Sequence, residues 1–385
     1  MPAERTTPAK RILVTRMKFI GDVVLTTPLL HSLRTAYPSA RIAYMAEARA
    51  CSLLEHHPAV DELIGYDFSR PAVLEQVRVA LALRRARFDV ALDLFSNPRS
   101  ALLTYLSGAR VRVGLARAGR GRLFTHQVHD DGAPKTAIEF HDQFLRAIGV
   151  APTATQPTLV VTAEEKEAMR GRLRMIEAAW GGTGSGRSTG TQSTARRGNQ
   201  VEVQRSAQAA MERRLIILHA GATWPAKQWG AEQYAKLAAL LARSTGGRIL
   251  LTGGARDASA LREVEEKSQR TAQRIGPLTL RELAALLSLA DAFVGNDGGP
   301  MHISAAVGTP TVGIFGPGEE QIWFPYAESF GHRALREDVV CHPCHLNVCT
   351  RPGESYMECM KKLTPERVLD AVLKALDRSP IRPGN

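Results

Sequence analysis

Aromatic residues make up only 6% of the 385 residues, and no apolar run is long enough to span a bilayer. The first shortage disfavours a surface of base-stacking rings. The second argues against a spanning helix, which needs about twenty predominantly apolar residues. Near the start, Lys10, Arg11, Arg16, Lys18 and Asp22 interrupt every apolar stretch. No secretory leader is therefore expected, and the expected location is the cytoplasm, where thiols stay reduced. The five cysteines are accordingly not read as a disulfide framework. Three phosphate-binding signatures are missing as well. Without G-x-G-x-x-G after either first strand, a nicotinamide dehydrogenase is disfavoured. The glycine-rich region carries no Walker A loop, and no D-x-D motif follows a strand where a metal-held diphosphate would sit.

What is present is ordinary globular material, 44% hydrophobic and 23% charged. The length suits two domains better than one core. Fifty Lys and Arg against 38 acidic residues give a net charge of +12. Such an excess fits an anionic partner, whether nucleic acid, a phosphorylated glycolipid or a membrane surface. The arginines are scattered, so charge alone does not choose among them.

Short β-branched runs alternate with helical patterns from Arg11 onward. Strands are expected at Arg11 to Thr15, Arg41 to Ala46, around VDELIGY, and at Phe88 to Leu94. Helices are expected from Asp22 to Tyr37, near Arg49 to His56, and over Val73 to Ala86 and Arg99 to Leu106. Such alternation implies parallel pairing with right-handed crossovers. The stretch Gly181 to Ala207 is dominated by small polar residues and reads as a flexible insertion. The alternation resumes with RLIILHA and runs through GRILLTGG, DAFVG and TPTVGIF to a last helix over Thr364 to Leu376. The expected division is 1–165 for an N-terminal Rossmann-like domain and 166–212 for a helix and linker. A second Rossmann-like domain is expected over 213–363, then a terminal helix and tail over 364–385. Two such domains facing one another would form a cleft at the carboxyl ends of their strands.

Three loops are candidates for chemistry. In TRMKFIGDVVLTTPLL, Asp22 stands where a helix begins. Its carboxylate can cap exposed N–H groups or act as a general base toward an acceptor hydroxyl. In LHAGATWPAKQWG, Thr223 and Lys227 follow a strand and suit a diphosphate, although an exposed surface lysine has the same look. In VGNDGGPMHISAAVGTPTVGIFGP, the order strand, Asp297, Gly298, Gly299, helix offers bare backbone N–H groups to an anion. Asp297 could cap that helix or orient a ribose or sugar hydroxyl, and His302 is either structural or a diphosphate contact.

Together and in this order, IGDVVLTTPLL, HAGATWPAKQW and NDGGPMHISAAVGTPTVGIFGP resemble glycosyltransferase family 9, the ADP-heptose:lipopolysaccharide heptosyltransferases. The resemblance implies an α/β GT-B enzyme of two Rossmann-like domains with parallel sheets facing a central cleft. It implies inverting, metal-independent heptose transfer from an ADP-sugar to the inner core of lipopolysaccharide, with no cofactor. On that reading Asp22 is the base and Lys227 and Thr223 hold the diphosphate. Asp257 lies near the nucleotide ribose, and Asp297, Gly298, Gly299 and His302 hold the nucleotide end. Arg99 and Arg112, in SNPRSALLTYLSGARVRVG, would meet an anionic glycolipid acceptor. The enzyme would then work on the inner face of the inner membrane as a peripheral protein, with no nucleic-acid partner. Ala222 and Gly298 depart from relatives that carry hydroxyl residues there. Cys341, Cys344, Cys349 and Cys359 admit a structural metal site or a shaped loop. The rival readings are a family 9 transferase with another sugar donor or surface-glycan acceptor, an inactive transferase-like subunit, and a nucleotide- or nucleic-acid-binding protein, the last suggested by charge alone.

Overall fold

The computed structural model describes residues 9–117, 119–181 and 214–378. Most of the insertion expected at Gly181 to Ala207 lies outside the described residues. The chain forms two compact units. The first comprises Met1–Val160, Gly298–Gly308 and Glu319–Tyr326, and the second Val161–Asp297, Thr309–Gly318 and Ala327–Asn385. Two stretches from the second half of the sequence thus belong to the first unit.

The first unit is built on six parallel strands: β1 (Arg11–Thr15), β2 (Arg41–Glu47), β3 (Glu62–Tyr66), β4 (Val90–Asp93), β5 (Val111–Leu115) and β6 (His126–Val128). Their order is β3-β2-β1-β4-β5-β6. The central strands read as unbroken apolar runs because helices cover both faces: Ile12, Leu13, Val14, Val90, Ala91 and Leu92 are fully buried. A core of Leu13, Met45, Tyr66, Val79, Leu83 and Leu103 fixes the Ala72–Ala86 and Pro98–Leu106 helices to one face of the sheet.

The second unit repeats the plan with β7 (Leu215–His219), β8 (Arg248–Thr252), β9 (Ala272–Arg274), β10 (Ala292–Asn296), β11 (Thr311–Ile314) and β12 (Arg333–Leu335). The order β12-β11-β10-β7-β8-β9 is the same Rossmann arrangement. The sequence therefore repeats its architecture without repeating its residues. In each sheet the strand order reverses between the first and fourth strands, β1/β4 and β7/β10. Ligands of such sheets bind outside the carboxyl ends at that reversal. All three candidate loops leave from those ends.

One expected element differs in detail. The helix read from Asp22 to Tyr37 is two helices, Ile20–Leu25 and Thr27–Ala36. They part at Thr26, whose hydroxyl bonds the Val23 carbonyl and the Tyr44 hydroxyl, each at 2.7 Å. The hydroxyl of Thr27 bonds the Val24 carbonyl at 2.8 Å, and Pro28 occupies the first turn of the second helix. Thr26, Thr27 and Pro28 thus shape the junction between the two helices.

Candidate functional site

In the first unit, the chain leaves β1 at Thr15 and turns into the Ile20–Leu25 helix, so Asp22 falls in its first turn. One carboxylate oxygen accepts the Phe19 N–H at 3.1 Å. The other is paired with the Arg16 guanidinium. Arg16 is fixed in turn by a bond to the Leu94 carbonyl at 3.1 Å and by the Phe95 ring, 4.9 Å from its guanidinium carbon. The capping and chemical readings of Asp22 are thus compatible, since one oxygen caps while the carboxylate still lines a cavity.

That cavity has a volume of about 900 Å³ and is lined by Arg16, Asp22, Asn97, Arg117, Lys135 and His141, among others. Burial and the neighbouring Arg16 charge push His141 down to about 3, against the opposing pull of Asp22. The imidazole is therefore neutral at physiological pH, and Arg16 is the cation beside the carboxylate. At the end of β4, buried Asp93 bonds the amides of Phe95 and Ser96 at 3.2 and 2.8 Å. These bonds shape the turn that delivers Asn97 to the cavity rim. Asn97 then caps the Pro98–Leu106 helix, accepting the Ser100 N–H at 2.7 Å.

His302 belongs to this unit. Its ring bonds the Tyr326 hydroxyl and packs on Gly21, where an added Cβ would lie 2.4 Å from His302 Cδ2. The Gly299–Ala306 helix packs closely on Ile20, 3.2 Å from a Cβ built at Gly299. His302 thus buttresses the segment that carries Asp22.

In the second unit, the loop after β7 places Lys227 against Asp297 at the end of β10, Nζ to Oδ2 2.5 Å. The ammonium also sits 4.5 Å from the centre of the Trp224 ring. The Asp297 side chain is 5% exposed and that of Lys227 17%. Gly318 closes over the pair: a Cβ there would stand 2.7 Å from Asp297 Oδ2. Thr223 is exposed on the same loop. Asp257 caps its own turn through the Gly254 N–H at 2.7 Å, and its carboxylate lies against Gly221, leaving no room there for a Cβ.

Asn296 went unnoticed in the sequence, yet it organises this loop. Its amide donates to the Ala220 and Gly221 carbonyls at 3.3 and 3.1 Å. Its carbonyl accepts the Trp229 N–H at 3.3 Å and the Tyr234 hydroxyl at 3.2 Å. A polar residue ending an otherwise apolar strand was the available signal. Trp229 is a packing residue, 1% exposed with its indole N–H on the Leu363 carbonyl at 2.9 Å.

Arg99 and Arg112 do not line the Asp22 cavity. The Arg99 guanidinium lies 5.4 Å from the Tyr66 and Phe68 ring centres. Arg112 donates to the Leu123 and Ala109 carbonyls at 2.8 and 2.7 Å. Arg117 and Lys135 line the cavity instead, and neither had been singled out. The four late cysteines line one small hollow of the second unit, where burial and the neighbouring thiols push Cys359 up to about 11. Among the described residues, no group of three or more His, Cys, Asp or Glu is placed to hold a metal ion.

A pair of Rossmann units with charged loops at both strand-order reversals is the framework of a GT-B glycosyltransferase. The sequence profile of glycosyltransferase family 9 (heptosyltransferase) matches residues 76–353, and the chain belongs to that family. Among curated relatives, lipopolysaccharide heptosyltransferase 2 of Salmonella typhimurium is 27% identical over 379 residues, covering 94% of this chain and 97% of its own. Among solved structures, a family 9 glycosyltransferase from Veillonella parvula superposes with a TM-score of 0.77 at 22% identity, covering 96% of this chain and 98% of the other. The ADP-heptose lipopolysaccharide heptosyltransferase II of Escherichia coli gives 0.71 at 24% identity, with 96% and 99% covered.

Proposed function

We propose that the chain transfers heptose from ADP-heptose to the inner core of lipopolysaccharide, inverting the anomeric centre and using no metal. The donor and acceptor are carried over from relatives named for ADP-heptose and for lipopolysaccharide. The observation that carries the reading is Asp22, an oriented carboxylate lining a cavity large enough for a sugar, at the point where Rossmann sheets bind ligands.

In this scheme Asp22 takes the proton from an acceptor hydroxyl whose oxygen attacks the anomeric carbon. The bond from that carbon to the diphosphate breaks, and ADP leaves with the added negative charge. Lys227 neutralises that charge, which is why no metal is needed. Thr223 contacts the diphosphate and Asp257 the ribose, while Asp297 holds Lys227 in place. Backbone N–H groups at Gly298 and Gly299 face the nucleotide end, and His302 supports the Asp22 segment. Arg117 and Lys135 meet acidic groups of the acceptor near the reacting hydroxyl. Arg99 and Arg112 serve parts of the acceptor farther from it. The acceptor is lipid-borne, so the enzyme works in the cytoplasm at the inner face of the inner membrane.

The test is sugar transfer from ADP-heptose to Kdo-containing lipid A, comparing wild type with Asp22→Asn. Loss of a general base is expected to slow transfer by about 10²–10⁴-fold while ADP affinity is kept. An Asp22→Asn enzyme of full activity would remove the base from the scheme. ADP binding without transfer by wild type would point to another sugar or acceptor.

A further inference from the structure

The first unit carries an apolar face that its own fold does not cover. On the Ala72–Ala86 helix, Val73, Leu74, Val77 and Leu81 are 51–75% exposed. On the Pro98–Leu106 helix, Leu102, Tyr105 and Leu106 are 39–48% exposed. The two helices share a groove lined by Val77, Leu81, Tyr105 and Leu106 together with Arg84 and Arg112. Scattered exposed apolar residues are normal, but a patch continuous over two helices is a docking surface.

Its charge identifies the occupant. Residues 70–87 and 98–112 hold eight arginines and a single acidic residue, Glu75. The Glu75 side chain is fully buried and paired with Arg78, and Arg70 lies 3.8 Å away. The exposed charge of these two segments is therefore positive. Leucine, valine and tyrosine rimmed by arginine make up the chemistry that enters the headgroup boundary of an anionic bilayer. A soluble protein partner would require a complementary acidic groove-filler, whereas a bilayer supplies both acyl chains and phosphates. Asn97, which caps the start of the second helix, lines the Asp22 cavity, whereas Tyr105 and Leu106 of the groove lie in that helix's last turn.

We infer that the Ala72–Ala86 and Pro98–Leu106 helices form a surface that seats the first unit on anionic phospholipid. This deepens the functional reading above, on which it rests for the lipid-borne acceptor.

The experiment is co-sedimentation of the full chain with phosphatidylethanolamine–phosphatidylglycerol vesicles, using phosphatidylcholine vesicles as the neutral comparison. Wild type is expected to bind the anionic vesicles and to lose binding as salt rises. Arg85→Ser should weaken binding about fivefold, the worth of one arginine at such a surface. Val77→Glu with Leu81→Glu should abolish it. Both positions are more than half exposed, so the fold survives, which circular dichroism would check. Transfer to a delipidated, water-soluble acceptor should be equal in wild type and both variants. Loss of transfer in all three would count against the proposed reaction and leave the vesicle result intact. Unchanged vesicle binding by the double variant would overturn the inference. A solution dimer that the same variant dissolves, without vesicle binding by wild type, would assign the face to a second copy instead.

Discussion

Removing the Lys227 ammonium tests whether the second unit stores a charge for its ligand. Asp297 Oδ2 lies 2.5 Å from Lys227 Nζ, and the Asp297 side chain is only 5% exposed. Lys227→Ala leaves that carboxylate without its counter-charge, under a Gly318 backbone too close to admit even a methyl group. Breaking a fully buried pair costs about 3–5 kcal/mol. Lys227 is 17% exposed, so water can enter part of the vacated space, and the expected cost falls to about 2–3 kcal/mol. Lys227→Ala with Asp297→Asn removes the stranded charge and should recover all but about 1 kcal/mol, the share of an ordinary lost contact. ADP affinity should behave otherwise. A charge-assisted bond to a diphosphate is worth about 1.5–3 kcal/mol, so both variants should bind ADP about tenfold to a hundredfold more weakly. Urea unfolding and titration calorimetry on the wild type and the two variants would measure the two effects separately. If Lys227→Ala is as stable as wild type, the pair is not a buried one. If the double variant regains ADP affinity along with stability, Lys227 does not serve the diphosphate.

Three further outcomes are expected. Gly21→Ala forces a Cβ to within 2.4 Å of the His302 ring, so overpacking of about 1–3 kcal/mol should exceed the small gain in helix propensity. Adding His302→Ala should make the alanine at position 21 nearly neutral, and additive losses in denaturant unfolding would refute the contact. Burial raises the Asp93 carboxyl to about 6, above its ordinary value of 3.8. Its protonated form therefore favours the folded state, a contribution full below about pH 4 and lost as pH rises through 6. Asp93→Asn should thus gain on wild type by up to about 3 kcal/mol between pH 4 and pH 7, and parallel stability curves would refute it. Asn296→Ala should cost about 2–3 kcal/mol by unpairing buried backbone groups and should also weaken ADP binding, since the loop bearing Lys227 loses its anchor. Intact ADP affinity in a destabilised Asn296→Ala protein would limit the residue to stability.

The legible part of the fold was its buried centre. β1, β4, β7, β8 and β10 are covered on both faces, so their sequences are apolar runs that stand out between helical stretches. β6, β9 and β12 have three residues each and lie at sheet edges, too short and too polar to mark themselves, and they passed unread. The candidate site divides similarly. Asp22, Lys227 and Asp297 follow central strands, where the reversal of strand order gives any charged residue a reason to be noticed. His141 joins the Asp22 cavity from a helix more than a hundred residues along the chain, a meeting that only tertiary packing creates. Arg99 and Arg112 show the opposite case. The family resemblance marked them as acceptor contacts, and in the fold their guanidinium groups rest on local rings and carbonyls outside the Asp22 cavity.

The recruitment of Gly298–Gly308 and Glu319–Tyr326 into the first unit has a consequence for how the chain is made and rebuilt. A nascent chain emerging at about 5–20 residues per second finishes the β1 to β6 sheet long before the helix bearing His302 exists. The first unit must therefore wait, with the Gly21 surface uncovered, until residues near Tyr326 have left the ribosome. A chimera that joins two relatives at one cut near residue 165 would pair each half with a foreign His302 helix. Exchange of second halves between relatives needs cuts that leave both recruited stretches with the first half.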